Sequence, residues 1–183
     1  MKKAIVIAAA ALMSLAAMAQ PKFAHVNFTE LVQLMPEADQ ARATIQASSQ
    51  EAQETYQAMV EEFNTKYQTY QQKVNTWTPA IRESKEKELT EIQQRIQTFE
   101  SSVQQELAQQ QQSLMAPIQQ KAMDTVNDLA KKEGVVYVFD LSQVLYFDPA
   151  QSIDLTPKAR KALGIKEGRT LETLQQELAA QQQ

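Results

Sequence analysis

The sequence predicts an α+β protein in which a small β-sheet body carries a long antiparallel helical hairpin, a coiled coil projecting from it. Three features of the 183 residues carry this reading. Apolar side chains recur every three or four residues through two long tracts, the seam of helices packed lengthwise. Short runs of β-branched and aromatic residues flank those tracts instead of interrupting them. Glycine occurs only three times, while glutamine, glutamate, alanine and lysine dominate the middle, a composition of long helices.

Residues 1–19, MKKAIVIAAAALMSLAAMA, read as a signal peptide: two lysines, an apolar run, then the small-residue pattern Ala17-Met18-Ala19. Cleavage after Ala19 and delivery to the periplasm are expected, with no transmembrane segment, because no later stretch has the roughly 20 apolar residues of a membrane span. Loss of Lys2 and Lys3 leaves 18 − 2 = 16 basic against 22 acidic residues, a formal charge of 16 − 22 = −6. That balance argues against a nucleic-acid partner. There is no cysteine, so disulfides and thiol chemistry are excluded.

The exported part opens on a period-two run, with Ala24, Val26 and Phe28 alternating with Phe23, His25 and Asn27, which predicts a strand with Val26 and Phe28 in the body core. A short helical turn follows over Thr29–Met35. Pro36 then suits the start of a long helix, with Glu37 and Asp39 in its first turn. From there the seam runs through Ala52, Tyr56, Met59, Phe63, Tyr67, Tyr70, Val74 and Trp77. A second seam runs through Leu89, Ile92, Ile96, Phe99, Val103, Leu107, Gln110 and Leu114. Pro117 punctuates the second helix, which resumes towards Lys131-Lys132-Glu133-Gly134, an ordinary helix stop.

VVYVFDL, residues 135–141, predicts a strand buried on both faces, Ser142-Gln143 a tight turn, and VLYF, 144–147, a returning strand. Val136, Val138, Leu145 and Phe147 are accordingly expected in the body core. Thr156-Pro157 starts a further helix that Gly164 closes. RTLETLQQELAAQQQ places Leu171, Leu174 and Leu178 on one helical face, which either docks on the body or stays mobile.

If the first strand and the 135–147 run share a sheet, the helical tract must leave and return. Its midpoint lies beside the only tryptophan, and Glu37–Trp77 and Pro79–Ala116 match at 41 and 38 residues, each roughly 60 Å of helix. Asn75 tolerates the left-handed conformation that ends a helix, Thr78 can cap the next and Pro79 suits its first position. A continuous kinked rod paired between two chains is the alternative. The organisation expected is a signal peptide at 1–19, a discontinuous body at 20–36 and 117–164, an arm at 37–116 with its tip at 75–79, and a helical tail at 165–183.

Two blocks flank the arm: KFAHVNFTELVQLMPEADQA, residues 22–41, and KKEGVVYVFDLSQVLYFDPAQSIDLTPKARKALG, residues 131–164. With the coil between them they resemble the Skp (OmpH) family of periplasmic chaperones. The resemblance implies a homotrimer with arms like tentacles around a cavity, and ATP-independent holding of unfolded outer-membrane proteins. Tyr70, Trp77 and Ile81 are candidate client-contact or tip residues, with a staple of the turn as the preferred reading for Trp77 and a seam position as the preferred reading for the tyrosines of the first arm. Family members are often basic, whereas here Lys73, Arg82, Lys85, Lys87 and Arg95 lie among Glu83, Glu86, Glu88 and Glu91. That mixture does not favour binding of lipopolysaccharide or anionic lipid. A structural envelope spacer or adaptor, using its arms on a folded partner, is the rival from another class.

The remaining residues offer little chemistry. His25 is the sole histidine and reads as structural, since zinc would need further ligands. There is no glycine-rich phosphate loop and no HExxH motif. No catalytic residue, metal or cofactor is expected, and the chain does not read as an enzyme.

Overall fold

The computed structural model describes residues 21–180, and the signal-peptide reading at 1–19 lies outside them. Two long helices and a three-stranded sheet make an α+β fold.

Strand β1, Phe23–Val26, sends Ala24 and Val26 inward, and Asn27 then stops it. The Asn27 side chain accepts from Glu30 N at 3.1 Å and donates back to Glu30 Oε2 at 3.0 Å, capping α1, Phe28–Leu34, from both ends of one turn. Helix α1 buries Leu31, Val32 and Leu34. Met35 is extended, which Pro36 imposes on its predecessor, and α2 runs from Pro36 to Lys73. Ala38 and Ala41 are buried where α2 leaves the body, small enough for the helix to lie close.

Helix α3 spans Pro79–Glu133 and pairs along α2 before its last third enters the body. It runs unbroken through Pro117, where the sequence suggested a boundary. A mid-helix proline forfeits one backbone hydrogen bond, but Leu114 and Ile118 on either side are held in the core packing. Ile118, Ala122, Val126 and Leu129 carry that helical face into the core. Gly134 ends α3 at φ 65°, with Gly134 N to Lys131 O and Val135 N to Ala130 O both at 3.2 Å. This double closure is a Schellman motif and needs the left-handed residue that glycine supplies.

The sheet departs from the expected hairpin. Strand β2 is Tyr137–Asp140, β3 is Ser152–Asp154, and both pair parallel to the central β1. Ser142-Gln143 does not turn the chain back; Leu141–Gln143 forms a 3₁₀ turn whose start the Asp140 carboxylate holds, accepting from Ser142 N and from Phe28 N. Val144–Phe147 is no strand. Its composition favours β structure, but the edge of β1 is taken by polar Ser152–Asp154, where Ser152 Oγ meets His25 Nδ1 at 2.8 Å and Leu155 N donates to His25 O at 3.0 Å. Tertiary pairing has overridden propensity.

Two expected core residues are therefore corrected. Val136 is 57% exposed and Leu145 fully exposed, because Val136 precedes β2 and Leu145 lies on the crossing segment. Val26 is buried, Phe28 and Val138 pack against the core, and Phe147 is half-buried with its ring 4.6 Å from that of His25.

Helix α4, Thr156–Ala162, and helix α5, Leu171–Ala180, close the body. Ile165 and Leu174 belong to the core, with Leu171 and Leu178 packed against it, so the tail is docked. Arg169 reaches back to Asp39 at the root of α2, donating through both terminal nitrogens, one at 2.7 Å, and Arg160 pairs with Glu30. Burial alone would raise the Asp39 pKa, but the hydrogen bonds from Arg169 and Arg42 outweigh it and leave it lowered.

Candidate functional site

Helix α2 holds 38 residues, so the arm extends roughly 57 Å. Two helices can cover only one side of each other, and the seam shows it. Ile92 is the one arm side chain buried away from the root, whereas Tyr56, Met59, Phe63, Phe99, Val103 and Leu107 are half-exposed and Tyr67 is open to solvent. A strip of accessible apolar surface thus runs along the arm, interleaved with polar residues that keep it wetted.

At the tip, α2 closes with Val74 N on Tyr70 O and Thr76 N on Lys73 O, both at 2.9 Å. Asn75 lies in this turn but not in the left-handed conformation expected of it; among the described residues only glycines have positive φ. The reversal instead uses a right-handed helical Val74 and the Thr76 hydroxyl, which donates to Lys73 O at 2.8 Å. Thr78 caps α3, its hydroxyl accepting from Ile81 N at 3.4 Å, and Pro79 follows at the first helical position. Thr78→Ala should cost about 0.5–1 kcal/mol, the low end for a lost cap, and speed amide exchange at Ile81. Unchanged exchange there would mean that this long bond contributes nothing.

Trp77 is half-buried, its ring set edge-on to Tyr70 at 6.0 Å, and the Tyr70 hydroxyl donates to Glu86 at 2.5 Å. That bond raises the Tyr70 pKa. Tyr70 thus ties α2 to α3 and Trp77 packs on it from the turn, and of the three candidate contact residues only Ile81, 44% exposed, has no such side-chain contact among the described residues.

Below the tip a charge ladder crosses the arm. Lys66 pairs with Glu88, Lys85 with Glu88 at 2.8 Å, and Arg95 with Glu62 at 3.2 Å. Hydrogen bonds from Lys66 and then Lys85 pull the Glu88 pKa down to about 2. A carboxylate with a depressed folded pKa stabilises above its unfolded value and loses that contribution as pH falls through the folded one. The Glu88 link should therefore weaken between about pH 4.5 and 2, and its carboxyl carbon should titrate near 2 by NMR. Lys66→Met should bring the midpoint up towards the ordinary carboxylate range; an ordinary midpoint in the unmodified protein would refute the ladder.

The body presents a second feature that the sequence reading missed. On the outer face of the sheet Phe23 stacks on Tyr137 at 6.3 Å and Tyr137 on Phe139 at 6.2 Å. Tyr137 is 60% exposed, Phe139 45%, and Tyr146 on the crossing segment 84%. The period-two order of Tyr137 and Phe139 against Val138 was the available signal; it was obscured by the apolar character of both sets.

The fold and surfaces define a class: a small sheet body bearing one long, half-wetted coiled-coil arm, with no group of metal-ligating side chains and no membrane-crossing helix among the described residues. Residues 22–163 match the outer membrane protein (OmpH-like) family, and the chain belongs to it. Comparison with curated proteins gives no significant match. Membership makes it, in general terms, a periplasmic chaperone of outer-membrane proteins, from a family of chaperones and not enzymes.

Proposed function

We propose that this protein is an ATP-independent holdase that keeps unfolded outer-membrane proteins from aggregating, gripping them between the arms of a homotrimer. The observation that carries the reading is the half-exposed apolar seam along the arm. Such a surface offers many weak, adaptable contacts and no fixed pocket, which suits clients without a fold. A binder of unfolded chains lowers their free concentration, and needs no reaction centre to do so.

Self-association rests on the sheet. Parallel sheets are almost always covered on both faces, yet here the Phe23, Tyr137 and Phe139 face is open in the single chain. Further copies of the same chain would cover it and orient their arms to one side of a common body. The expected result is full suppression of aggregation of a denatured β-barrel protein, without nucleotide, at about one trimer per client. Continued aggregation at several-fold excess would sink the reading, and recovery of a single folded partner in stoichiometric amount would favour the adaptor role instead.

A further inference from the structure

Of the tip residues that are candidates for client contact, Tyr70 and Trp77 pack on each other and Tyr70 bonds Glu86, so both are engaged at the turn. The middle of the arm has what the tip lacks. Between α2 and α3 lies a groove of about 480 Å³ with Ala52, Phe99, Val103 and Leu107 as its floor and Glu51 and Glu106 on its walls. Phe99 is shared with a second groove towards the tip, about 860 Å³, that continues the apolar floor through Met59 and Ile92. The Ser48 and Gln110 side chains, joined at 3.1 Å, mark its end towards the body.

Apart from Arg95, which lines the tipward groove and is paired with Glu62, the charge of this zone is acidic. No lysine or arginine occurs between Arg42 and Lys66 on α2, or between Arg95 and Lys121 on α3. The same two stretches carry Glu51, Glu54, Glu61, Glu62, Glu100 and Glu106, and among the described residues only Glu62 is in an ion pair. Most basic residues of the arm lie towards its tip or its root; Arg95 of the tipward groove is held by Glu62, and Lys66 and Lys121 are paired with Glu88 and Glu37.

We infer that this mid-arm groove is a docking surface selective for extended, unfolded segments in which apolar side chains are interspersed with lysine or arginine. The apolar side chains fill the floor, and the long basic stems lie over it with their charges at Glu51 and Glu106, the rim carboxylates without an ion pair among the described residues. From Ile92 to Gln110 the groove follows some 27 Å of helix, the span of about eight residues of extended chain. Acidic segments meet repulsion from both walls, so the surface discriminates by charge as well as by hydrophobicity. The inference rests on the holdase reading and adds which segments of a client the arm selects.

The test uses fluorescent 15-residue peptides in which leucine and tyrosine alternate with lysine, with glutamine or with glutamate, followed by anisotropy against the full-length protein. The lysine peptide should bind about tenfold tighter than the glutamate peptide at low salt, and the difference should shrink at 0.5 M salt. Glu51→Lys with Glu106→Lys should invert the order, with helical content unchanged because both side chains are exposed. The same reversal at Glu172 on the tail should change nothing. Equal binding of all three peptides, or an order unaffected by the groove reversals, would overturn the inference. The aggregation assay separates the two claims: protection of a β-barrel client without charge preference leaves the holdase standing and removes the groove's selectivity, whereas charge-selective peptide binding without protection does the opposite.

Discussion

If the outer sheet face joins copies into the trimer proposed above, replacing both Tyr137 and Phe139 with glutamate is expected to yield a folded monomer. In the single chain both side chains are largely in water, at 60% and 45% exposure, so two carboxylates there stay hydrated. The folding cost is limited to weaker β propensity and the lost stack with Phe23, about 1–2 kcal/mol in all. Buried at an interface the same carboxylates would be stripped of water; an unpaired buried charge costs several kcal/mol, and a closed trimer would repeat that cost three times. Sedimentation velocity with thermal melting distinguishes the cases. A variant that still assembles would show that the outer sheet face is not what joins the copies.

Leu174→Ala is expected to destabilise the body by about 2–5 kcal/mol, the range for deleting a buried leucine side chain. Leu174 is 4% exposed, belongs to the main core and is flanked by Leu171 and Leu178 on the same helical face. Arg169 stands beside it, fixed by Asp39 at the arm root and by Glu177 of α5. Arg169→Met should cost less, because Asp39 keeps Arg42 and remains 38% exposed to water. Denaturant unfolding of the two variants measures the order. A Leu174→Ala protein as stable as the parent would make the tail an appendage, although it lies beyond the residues matched to the family, 22–163.

The arm was legible in the sequence because its determinants are local. The 3.5-residue seam, Pro36 and Pro79 at helix starts and Gly134 at a helix stop each act within one or two turns, and each shapes α2 and α3. Asn75 shows the limit of such reasoning: asparagine tolerates left-handed geometry, yet this turn closes without it, through the Thr76 hydroxyl. Pro117 shows another, since a proline that would break an isolated helix is carried by core contacts at Leu114 and Ile118.

The body was harder to read. Val144–Phe147 has every mark of a strand, and Ser152–Asp154 has few, but pairing goes to the segment whose Ser152 can meet His25. Both Val136 and Leu145 are apolar and exposed, and nothing in their local pattern separates them from Val26 or Val138. The candidate site was split in the same way: the tip residues were located by turn chemistry, whereas the mid-arm groove needed the facing of α2 against α3.

By itself, then, the sequence determined the long helices, the reversal between them and the presence of a small sheet, because hydrogen bonds four residues apart and a seam of near-constant spacing need no distant partner. The tertiary structure alone decided the parallel order of the strands, the open aromatic face and the docking of the tail. Each of those depends on groups far apart in the chain, as with Arg169 and Asp39, 130 residues distant. Which of many chemically equivalent partners such a residue meets is settled only when the whole body packs.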